Sequence, residues 1–188
     1  MTELSKKELR SLLRQRRRSL PVDAQRDARK QVALLAFTLP QWANAQKIGL
    51  YCDTDGEIGT ADIAKRCHAD KKAVFLPVTG AANSLTFKQW DPNAKLVQSE
   101  FGIFEPAASA ALCTIASLDI VFLPLVGWDK SGGRLGMGGG YYDRVLSGVS
   151  GPLVVGLAHQ IQELERVPQD SWDIALEAIV TDEAIYRR

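Results

Sequence analysis

The residues best suited to chemistry lie together in one glycine-rich segment, residues 127–144 (GWDKSGGRLGMGGGYYDR). Six of the nine residues from Gly132 to Gly140 are glycine, and a chain without side chains lets backbone N–H groups cradle a phosphate. Arg134 and Arg144 bracket this loop, and guanidinium groups neutralise phosphate charge through paired hydrogen bonds. The pattern therefore favours a polyphosphate site over a surface turn that uses glycine only for its backbone freedom.

The same segment excludes the two commonest nucleotide-binding motifs. It contains no G-x-x-x-x-G-K-[ST] sequence, so it is not a Walker A loop. Tyr141 occupies the third glycine position of a G-x-G-x-x-G pattern that begins at Gly136, so it is not a dinucleotide-binding fingerprint either. Asp143 follows in a predicted helix and supplies a carboxylate oxygen of the kind that Mg²⁺ prefers. We therefore expect a phosphate site of another architecture, with Asp143 as a candidate metal ligand.

Two further polar segments carry carboxylates. Three carboxylates lie between Asp53 and Glu57, directly after a short apolar run. The residue types alone favour a solvated acidic turn that caps the next helix. The carboxylates of residues 167–173 either join Asp143 at a metal or serve as turn residues. His159 ends a predicted strand, and no motif supports a Ser-His-Asp arrangement around it.

Charge is distributed unevenly along the chain. Residues 1–30 carry ten Lys/Arg and four Asp/Glu, a net charge of +6, whereas residues 31–188 carry thirteen and eighteen, a net charge of −5. Ser5 and Glu8 form the S-x-x-E pattern of a capping box, which predicts a helix that begins there. Helical spacing brings four basic side chains to one face of this helix, namely Lys6, Arg10, Arg14 and Arg17.

Three interpretations of this basic helix stay open from the residues alone. The first is a solvated basic face. The second is contact with RNA or a membrane surface, although no aromatic residues are interleaved to stack on bases and the apolar face contains little besides leucine. The third is a helix that folds back and brings Lys6 and Arg10 to a polyphosphate. The third interpretation gives the helix and the glycine-rich loop a single ligand.

The elements that must position these residues alternate between strand and helix. That alternation predicts an α/β fold with a mostly parallel sheet. The glycine-rich loop follows the most apolar predicted strand, and the carboxyl ends of such strands are where ligands bind. Predicted helices cover a segment that starts at Ser5 and stops before Pro21, then 23–37, 60–68 (beginning at a Thr60 cap) and 141–147; predicted strands cover 47–52, 73–78, 85–90, 118–126, 153–159 and 178–181.

Length and composition are those of an ordinary globular protein. The chain has 188 residues, 46% hydrophobic and 24% charged, with a net charge of +1, so we expect a single domain over 1–188. This balance excludes a wholly basic nucleic-acid binder and an acidic disordered chain. No apolar stretch is long enough for a membrane span and no secretory signal is visible. Three scattered cysteines indicate free thiols in a reducing cytoplasm rather than disulfides; they are Cys52, Cys67 and Cys113.

The segment GRLGMGGGYYDR (133–144) resembles the signature of the 5-formyltetrahydrofolate cyclo-ligase family, and weaker matches stand in the right order along nearly the whole chain. One departure is His159, where many members carry an aromatic residue. The weaker matches are Lys6-x-x-Leu9-Arg10, Tyr51 with Glu57 and Thr60, FGIFEP at Phe101–Pro106, the apolar run 118–126, and VP…D…IVT within Val167–Thr181.

The resemblance implies a three-layer α/β/α enzyme. Its reaction would convert 5-formyltetrahydrofolate to 5,10-methenyltetrahydrofolate with ATP and Mg²⁺ and release ADP and phosphate. It implies that Cys52 and Glu57 contact the folate and that Asp143 and Asp173 bind magnesium. It also implies an ATP site formed by Lys6, Arg10, Arg134, Leu135, Gly136, Met137, Gly138, Gly139, Gly140, Tyr141 and Tyr142.

The implied chemistry agrees with the residue types. Phosphorylation turns a formyl oxygen, a poor leaving group, into a good one, and the neighbouring anilino nitrogen then closes the ring. Such a reaction needs two ligands held in line and phosphoryl charge neutralised, and we expect Arg134 to stabilise the transferring phosphoryl group. Two alternatives remain: a sugar-phosphate isomerase or CoA-transferase-like protein, which would need neither ATP nor Mg²⁺, and an RNA-associated module with salt-sensitive binding through the basic helix. Small-molecule substrates, without nucleic acid or membrane partners, are the expectation.

Overall fold

The computed structural model describes residues 4–80, 84–98, 102–170 and 172–188. Phe101 and Ser171, which belong to two of the segments discussed above, lie outside the described residues. The helices are α1 (Lys6–Arg18), α2 (Val22–Ala36), α3 (Ala61–Ala69) and α4 (Tyr141–Leu146). The strands are β1 (Lys47–Gly49), β2 (Ala73–Thr79), β3 (Leu85–Trp90), β4 (Val97–Gln98), β5 (Phe104–Glu105), β6 (Leu112–Cys113), β7 (Ile120–Pro124), β8 (Gly127–Trp128), β9 (Arg134–Leu135), β10 (Leu153–Leu157), β11 (Ala178–Val180) and β12 (Ile185–Arg187).

Eight strands form one mixed sheet in the order β12-β11-β10-β7-β1-β2-β3-β6. The five central strands, β11 to β2 in that order, are parallel, and Ile48 of β1 pairs with both Val74 and Ile120. Antiparallel strands complete both edges. The mostly parallel α/β sheet predicted from the alternation of elements is therefore confirmed.

The central strands are apolar on both faces, and each face supports its own core. In β7, Ile120 and Phe122 point to one core, whereas Val121 and Leu123 point to the other. The first core is covered by α2, α3 and the turn containing Trp42. The second is covered by α4 and a single 3₁₀ turn at Ile115–Ser117. The arrangement is a three-layer α/β/α fold with one thin layer.

Helix α1 lies outside both layers, across the carboxyl ends of the parallel strands. The capping box predicted for its start is present: the Ser5 hydroxyl accepts from the backbone N–H of Glu8, whose carboxylate accepts from the Ser5 backbone N–H. Its leucines pack in a third, small core with Val126, Leu135 and Val167. The apolar stripe therefore fixes α1 over the strand ends and leaves its basic face for the loops there.

Several predicted strands are too long, and the reason is clear at β1. The prediction 47–52 ends instead at Gly49, because the Tyr51 carbonyl accepts a hydrogen bond from the Thr60 hydroxyl at 2.7 Å rather than from a neighbouring strand. The same bond means that Thr60, predicted as a side-chain cap of α3, caps nothing with its hydroxyl. Further short elements of the structure were not predicted from the sequence, namely β6, β12 and the hairpins β4–β5 and β8–β9.

In the described part of the chain, no helix is both long enough and apolar enough to span a bilayer.

Candidate active site

The site is located where the strand order reverses. From β1 the chain proceeds to β2 on one side, whereas β7 lies on the other side of β1 and leads outward to β10 and β11. Loops that leave the carboxyl ends of β1 and β7 diverge at this point and open a crevice, the usual ligand position of an open α/β sheet. The acidic segment 53–57 follows β1, and the glycine-rich segment follows β7.

The glycine-rich segment consists of two parts with different structural roles. Residues 127–135 form the β8–β9 hairpin, and its turn needs Gly132 because φ is +87° and a Cβ there would lie 2.5 Å from the Leu176 carbonyl oxygen. Gly133 packs against the Asp129 carboxylate in the same turn. These two glycines therefore shape the hairpin. Of the stretch Gly132–Gly140, over which the sequence predicts a phosphate cradle, residues 136–140 lie beyond the hairpin.

The second part, residues 136–140, carries the chain from the hairpin into α4. Gly138 and Gly140 have φ of +98° and +66°, conformations that favour glycine. Nothing lies within 4 Å of a Cβ built on Gly136, and Met137 is half exposed. This stretch is therefore open on one side, as a loop that receives a ligand must be.

Arg134, the expected catalytic residue, is held under this loop. Its side chain is only 6% exposed. Its Nε donates to the Ile174 carbonyl at 2.9 Å, and its Nη2 donates to Asp143 Oδ1. Burial lowers the pKa of the Arg134 guanidinium, while the carboxylates of Asp143 and Asp173 oppose that shift. The result is a cation fixed in orientation and ready to interact with an anion.

The basic face of α1 reaches the same place, as the third interpretation of the helix predicted. Arg10 Nε donates to the Gly136 carbonyl at 2.8 Å, and its guanidinium packs over Gly138. Lys6 Nζ lies 2.7 Å from a carboxylate oxygen of both Asp170 and Asp173. Arg10 thus bonds to the glycine-rich loop, whereas Lys6 bonds to carboxylates of the segment 167–173. The first interpretation, a solvated basic face, is wrong for the Lys6 and Arg10 side chains.

The two expected magnesium ligands sit next to these cations. Asp143 pairs with Arg134, and Asp173 pairs with Lys6. Burial opposes ionisation of Asp173, but the Lys6 ammonium outweighs burial and lowers the pKa of the carboxyl. In the described residues, no group of three or more His, Cys, Asp or Glu side chains is placed to hold a metal alone. Two carboxylates beside a phosphate loop nevertheless fit Mg²⁺, which binds through one or two carboxylates together with substrate phosphates.

The remaining members of the expected ATP loop divide between core and crevice. Leu135 is buried in the small core under α1, so its side chain supports the loop from below. Tyr141 and Tyr142 are both half-buried against the second core. Burial raises the pKa of the Tyr142 phenol, and the nearby Glu57 carboxylate raises it further. Tyr142 therefore faces the acidic segment across the crevice.

The acidic segment is not the solvated turn that its residue types favoured. Asp55 accepts hydrogen bonds from Arg14 and Arg17 at 2.7 Å each and from Arg18. The side chain of Glu57 is only 7% exposed, with Arg17 Nη2 3.6 Å from its Oε1. Because α1 lies above the segment, it covers Asp55 and Glu57, which the local sequence predicts to be exposed.

Glu57 is the carboxylate that the structure places in the crevice. Burial raises the pKa of Glu57 to about 7, although a hydrogen bond from the Thr54 N–H and the charge of Arg17 lower it. Cys52, the other expected folate contact, is half-buried, and burial raises the pKa of its thiol to about 11. A thiol protonated at neutral pH acts as a small apolar surface rather than as a nucleophile.

Two residues at the site were missed as site residues from the sequence. Arg17 is fully buried and joins α1 to the ends of β1 and β7; its place on the basic face was visible, but its burial was not. Asp129 accepts from Ser131 and Gly133 in the hairpin turn and from the Val167 N–H. Asp129 stands two residues before Ser131 and four before Gly133, a spacing that is typical of an Asx-turn and is visible in the sequence.

The fold and these contacts define a class of protein: an open α/β protein with a cationic, glycine-rich ligand site at the switch point of its sheet. Comparison with known proteins narrows the class. The model of the 5-formyltetrahydrofolate cyclo-ligase family matches residues 2–182. The chain therefore belongs to the 5-formyltetrahydrofolate cyclo-ligase family.

Individual relatives agree with the family match. The 5-formyltetrahydrofolate cyclo-ligase of Haemophilus influenzae is 36% identical over 94% of this chain and 97% of its own length. That of Escherichia coli K12 is 34% identical over 93% and 99%. The NMR structure of Aquifex aeolicus 5,10-methenyltetrahydrofolate synthetase superposes with a TM-score of 0.86 at 32% identity, covering 98% of this chain and 93% of that one.

Proposed function

We propose that this chain converts 5-formyltetrahydrofolate to 5,10-methenyltetrahydrofolate, using MgATP and releasing ADP and phosphate. The observation that carries the proposal is that three cations bond to the loop 136–140 or to the two expected magnesium ligands: Arg10 to Gly136, Arg134 to Asp143 and Lys6 to Asp173. These three cations come from two distant parts of the chain, and a polyphosphate is a ligand that requires such a concentration of positive charge. Family membership adds the identity of the reaction.

The ATP side of the crevice lies under α1. Lys6 and Arg10 bind the phosphate chain, and backbone N–H groups of residues 136–140 contribute further hydrogen bonds. Before the ligand binds, Lys6 pairs with Asp173 and Arg134 pairs with Asp143. Asp143 and Asp173 would hold Mg²⁺ together with the phosphates. Bound there, the ion neutralises charge on the phosphoryl oxygens.

The chemical step needs no protein nucleophile. The formyl oxygen of the folate attacks the γ-phosphorus, the bond to ADP breaks, and the electron pair leaves with ADP. The anilino nitrogen then adds to the formyl carbon and loses its proton to water, and the C–O bond breaks as phosphate leaves with its electrons. Arg134, fixed by Ile174 and Asp143, stabilises the charge on the transferring group. Glu57 and Cys52 line the folate side, where a carboxylate accepts N–H donors of the reduced pterin.

The direct test follows the absorbance of methenyl-folate in a mixture of purified protein and 5-formyltetrahydrofolate. Product is expected with MgATP and not with Mg²⁺ alone or with ATP plus excess EDTA. ADP and phosphate should form in equal amounts with the product. Absence of product contradicts the proposal, and product that forms equally well without ATP contradicts the proposed use of ATP. Since the cysteines Cys52, Cys67 and Cys113 are free thiols, we place the protein in the cytoplasm.

A further inference from the structure

We propose that Arg17 is a positioning residue for Glu57: its buried guanidinium fixes the loop that carries this carboxylate and places a positive charge beside the carboxylate that meets the folate. The inference rests on the proposed function, because that function gives Glu57 a substrate to contact. Nothing in the glycine-rich loop or the metal carboxylates involves Arg17. Arg17 therefore acts separately from the proposed ATP site, on the other side of the crevice.

The first argument is geometric. Arg17 is 0% exposed and uses all parts of its guanidinium: Nε donates to the Asp55 carbonyl at 2.8 Å, Nη1 to the Leu125 carbonyl at 3.1 Å, and Nη2 to Asp55 Oδ2 at 2.7 Å. Leu125 directly follows β7, and Asp55 belongs to the loop that follows β1. One side chain therefore ties together the two strand ends that border the crevice, as only the rigid, multi-donor guanidinium can.

The second argument concerns the shape of the loop. Asp55 and Gly56 have φ of +56° and +74°. Aspartate adopts a positive φ more readily than most residues, but the conformation is uncommon and contacts with the surroundings stabilise it. Arg17 holds Asp55 by both its backbone and its side chain. From the other side, His159 Nε2 lies 3.1 Å from the Gly56 carbonyl. The loop is thus pinned immediately before Glu57, which sets the direction of that side chain.

The third argument is electrostatic. Glu57 is buried, and burial favours its neutral form. Arg17 Nη2 is 3.6 Å from its Oε1 and is the cation that opposes this effect. The ionisable groups that face Glu57 are Arg17 from α1, Asp53 and Asp55 from its own loop, Tyr51 from the end of β1, Tyr142 from α4, and His159, through Gly56, from the end of β10.

The test compares Arg17→Gln with Arg18→Gln. Arg18 is half exposed and contacts the same Asp55, but it bonds neither to Leu125 nor to Glu57, so it is a matched control for loss of one positive charge on α1. We expect Arg17→Gln to raise the KM for 5-formyltetrahydrofolate on the order of tenfold and to change the KM for ATP less than twofold. The acid limb of kcat/KM for the folate should move to higher pH by about one unit. Arg18→Gln should do neither.

A structural defect alone would not give this pattern. In a Glu57→Gln background the pH limb should be absent, and adding Arg17→Gln should then produce no further pH dependence. If Arg17→Gln does not fold, Arg17→Lys replaces it: the charge remains, so the pH limb should stay near that of the wild type while the folate KM rises, because the paired hydrogen bonds are lost. A wild-type pH limb and folate KM in Arg17→Gln, or equal effects on both substrates, overturns the inference. An inactive wild-type enzyme contradicts the proposed function itself.

Discussion

At the scale of single residues, the site depends on side chains whose charge is fixed by a partner before any ligand binds. Arg134 and Asp143 orient each other, as do Lys6 and Asp173. Such pairs keep both groups ionised in a half-buried place, where a lone charge would be costly. A charged ligand can replace these ion-pair partners at a smaller cost in free energy, because the groups have already been removed from water.

Arg134→Ala tests the main catalytic assignment. Loss of one charge-stabilising donor costs about 2–4 kcal/mol in the barrier, which corresponds to a decrease in kcat of roughly 30- to 900-fold. Steady-state kinetics with both substrates saturating measure this decrease. Arg66→Ala, which removes a surface cation of α3 that pairs with Asp70 and lies over the Phe37 ring, is the control and should keep wild-type kcat. If kcat of Arg134→Ala stays near wild type while ATP binds normally, the role assigned to Arg134 is wrong.

Asp55→Asn tests the cluster that attaches the acidic segment. Burial would raise the pKa of Asp55, but hydrogen bonds from Arg14, Arg17 and Arg18 outweigh it and lower the pKa to about 2. The ionised form therefore stabilises the fold above the ordinary pKa near 3.8, and this contribution is lost as pH falls towards 2. At pH 7 we expect Asp55→Asn to reduce the free energy of unfolding by about 2 kcal/mol.

Urea unfolding at several pH values measures this contribution. The difference between wild type and Asp55→Asn should shrink between about pH 4 and pH 2. Asp53→Asn, which changes an exposed carboxylate of the same loop, should differ little from wild type at any pH. A difference for Asp55→Asn that does not vary with pH would mean that the cluster stabilises the fold by packing and not by charge.

At the scale of elements, the start of α1 was predictable from residues a few positions apart, whereas contacts between distant segments were not. The capping box of α1 involves residues three positions apart, so Ser5 and Glu8 predicted its start. The shared basic face of the helix followed from its periodicity. Its partners did not, because Arg17 and Leu125 are 108 positions apart and only the folded sheet brings them together. For the same reason, the burial of Glu57 was invisible in a sequence that reads locally as an exposed turn.

The glycine-rich loop offers a prediction at this scale, because its two parts serve different ends. Gly132→Ala places a Cβ at a φ of +87° and against the Leu176 carbonyl, so we expect it to lower the free energy of unfolding by about 1–3 kcal/mol. Gly136→Ala adds a methyl group in open space and should leave stability unchanged while raising the KM for ATP. Thermal unfolding and ATP titration separate the two effects. Equal stability of both variants would contradict this division of the loop.

At the scale of the whole molecule, the net charge of +1 is the sum of a basic segment that contains α1 and an acidic remainder of the chain. The folded structure converts this separation into four ion pairs and one hydrogen bond to a backbone carbonyl. The ion-paired side chains of α1 are Lys6, Arg14, Arg17 and Arg18, and Arg10 bonds to the Gly136 carbonyl. The fold class was predictable because strand and helix patterns are dense and local. The sheet order was not, because pairing depends on contacts between segments distant in sequence.

We propose that residues 1–188 form one cooperative unit. The main sheet takes strands from Lys47 to Arg187, so no part of it is complete without the rest. Circular dichroism in the far ultraviolet and tryptophan fluorescence should report the same unfolding midpoint in urea. MgATP should raise that midpoint through its binding to the native state. Two separate transitions would show independent units instead.

The position of α1 in the chain has a consequence for biosynthesis. A ribosome makes this helix before the segments that it contacts: Lys6 meets Asp170 and Asp173 only after more than 160 further residues, and Arg17 meets Leu125 after 108. Until those segments emerge, the basic side chains of α1 lack part of their final partners, and the phosphates of ribosomal RNA attract such charges. Docking of α1 must be among the last events of folding, so the catalytic crevice closes only on a nearly finished polypeptide.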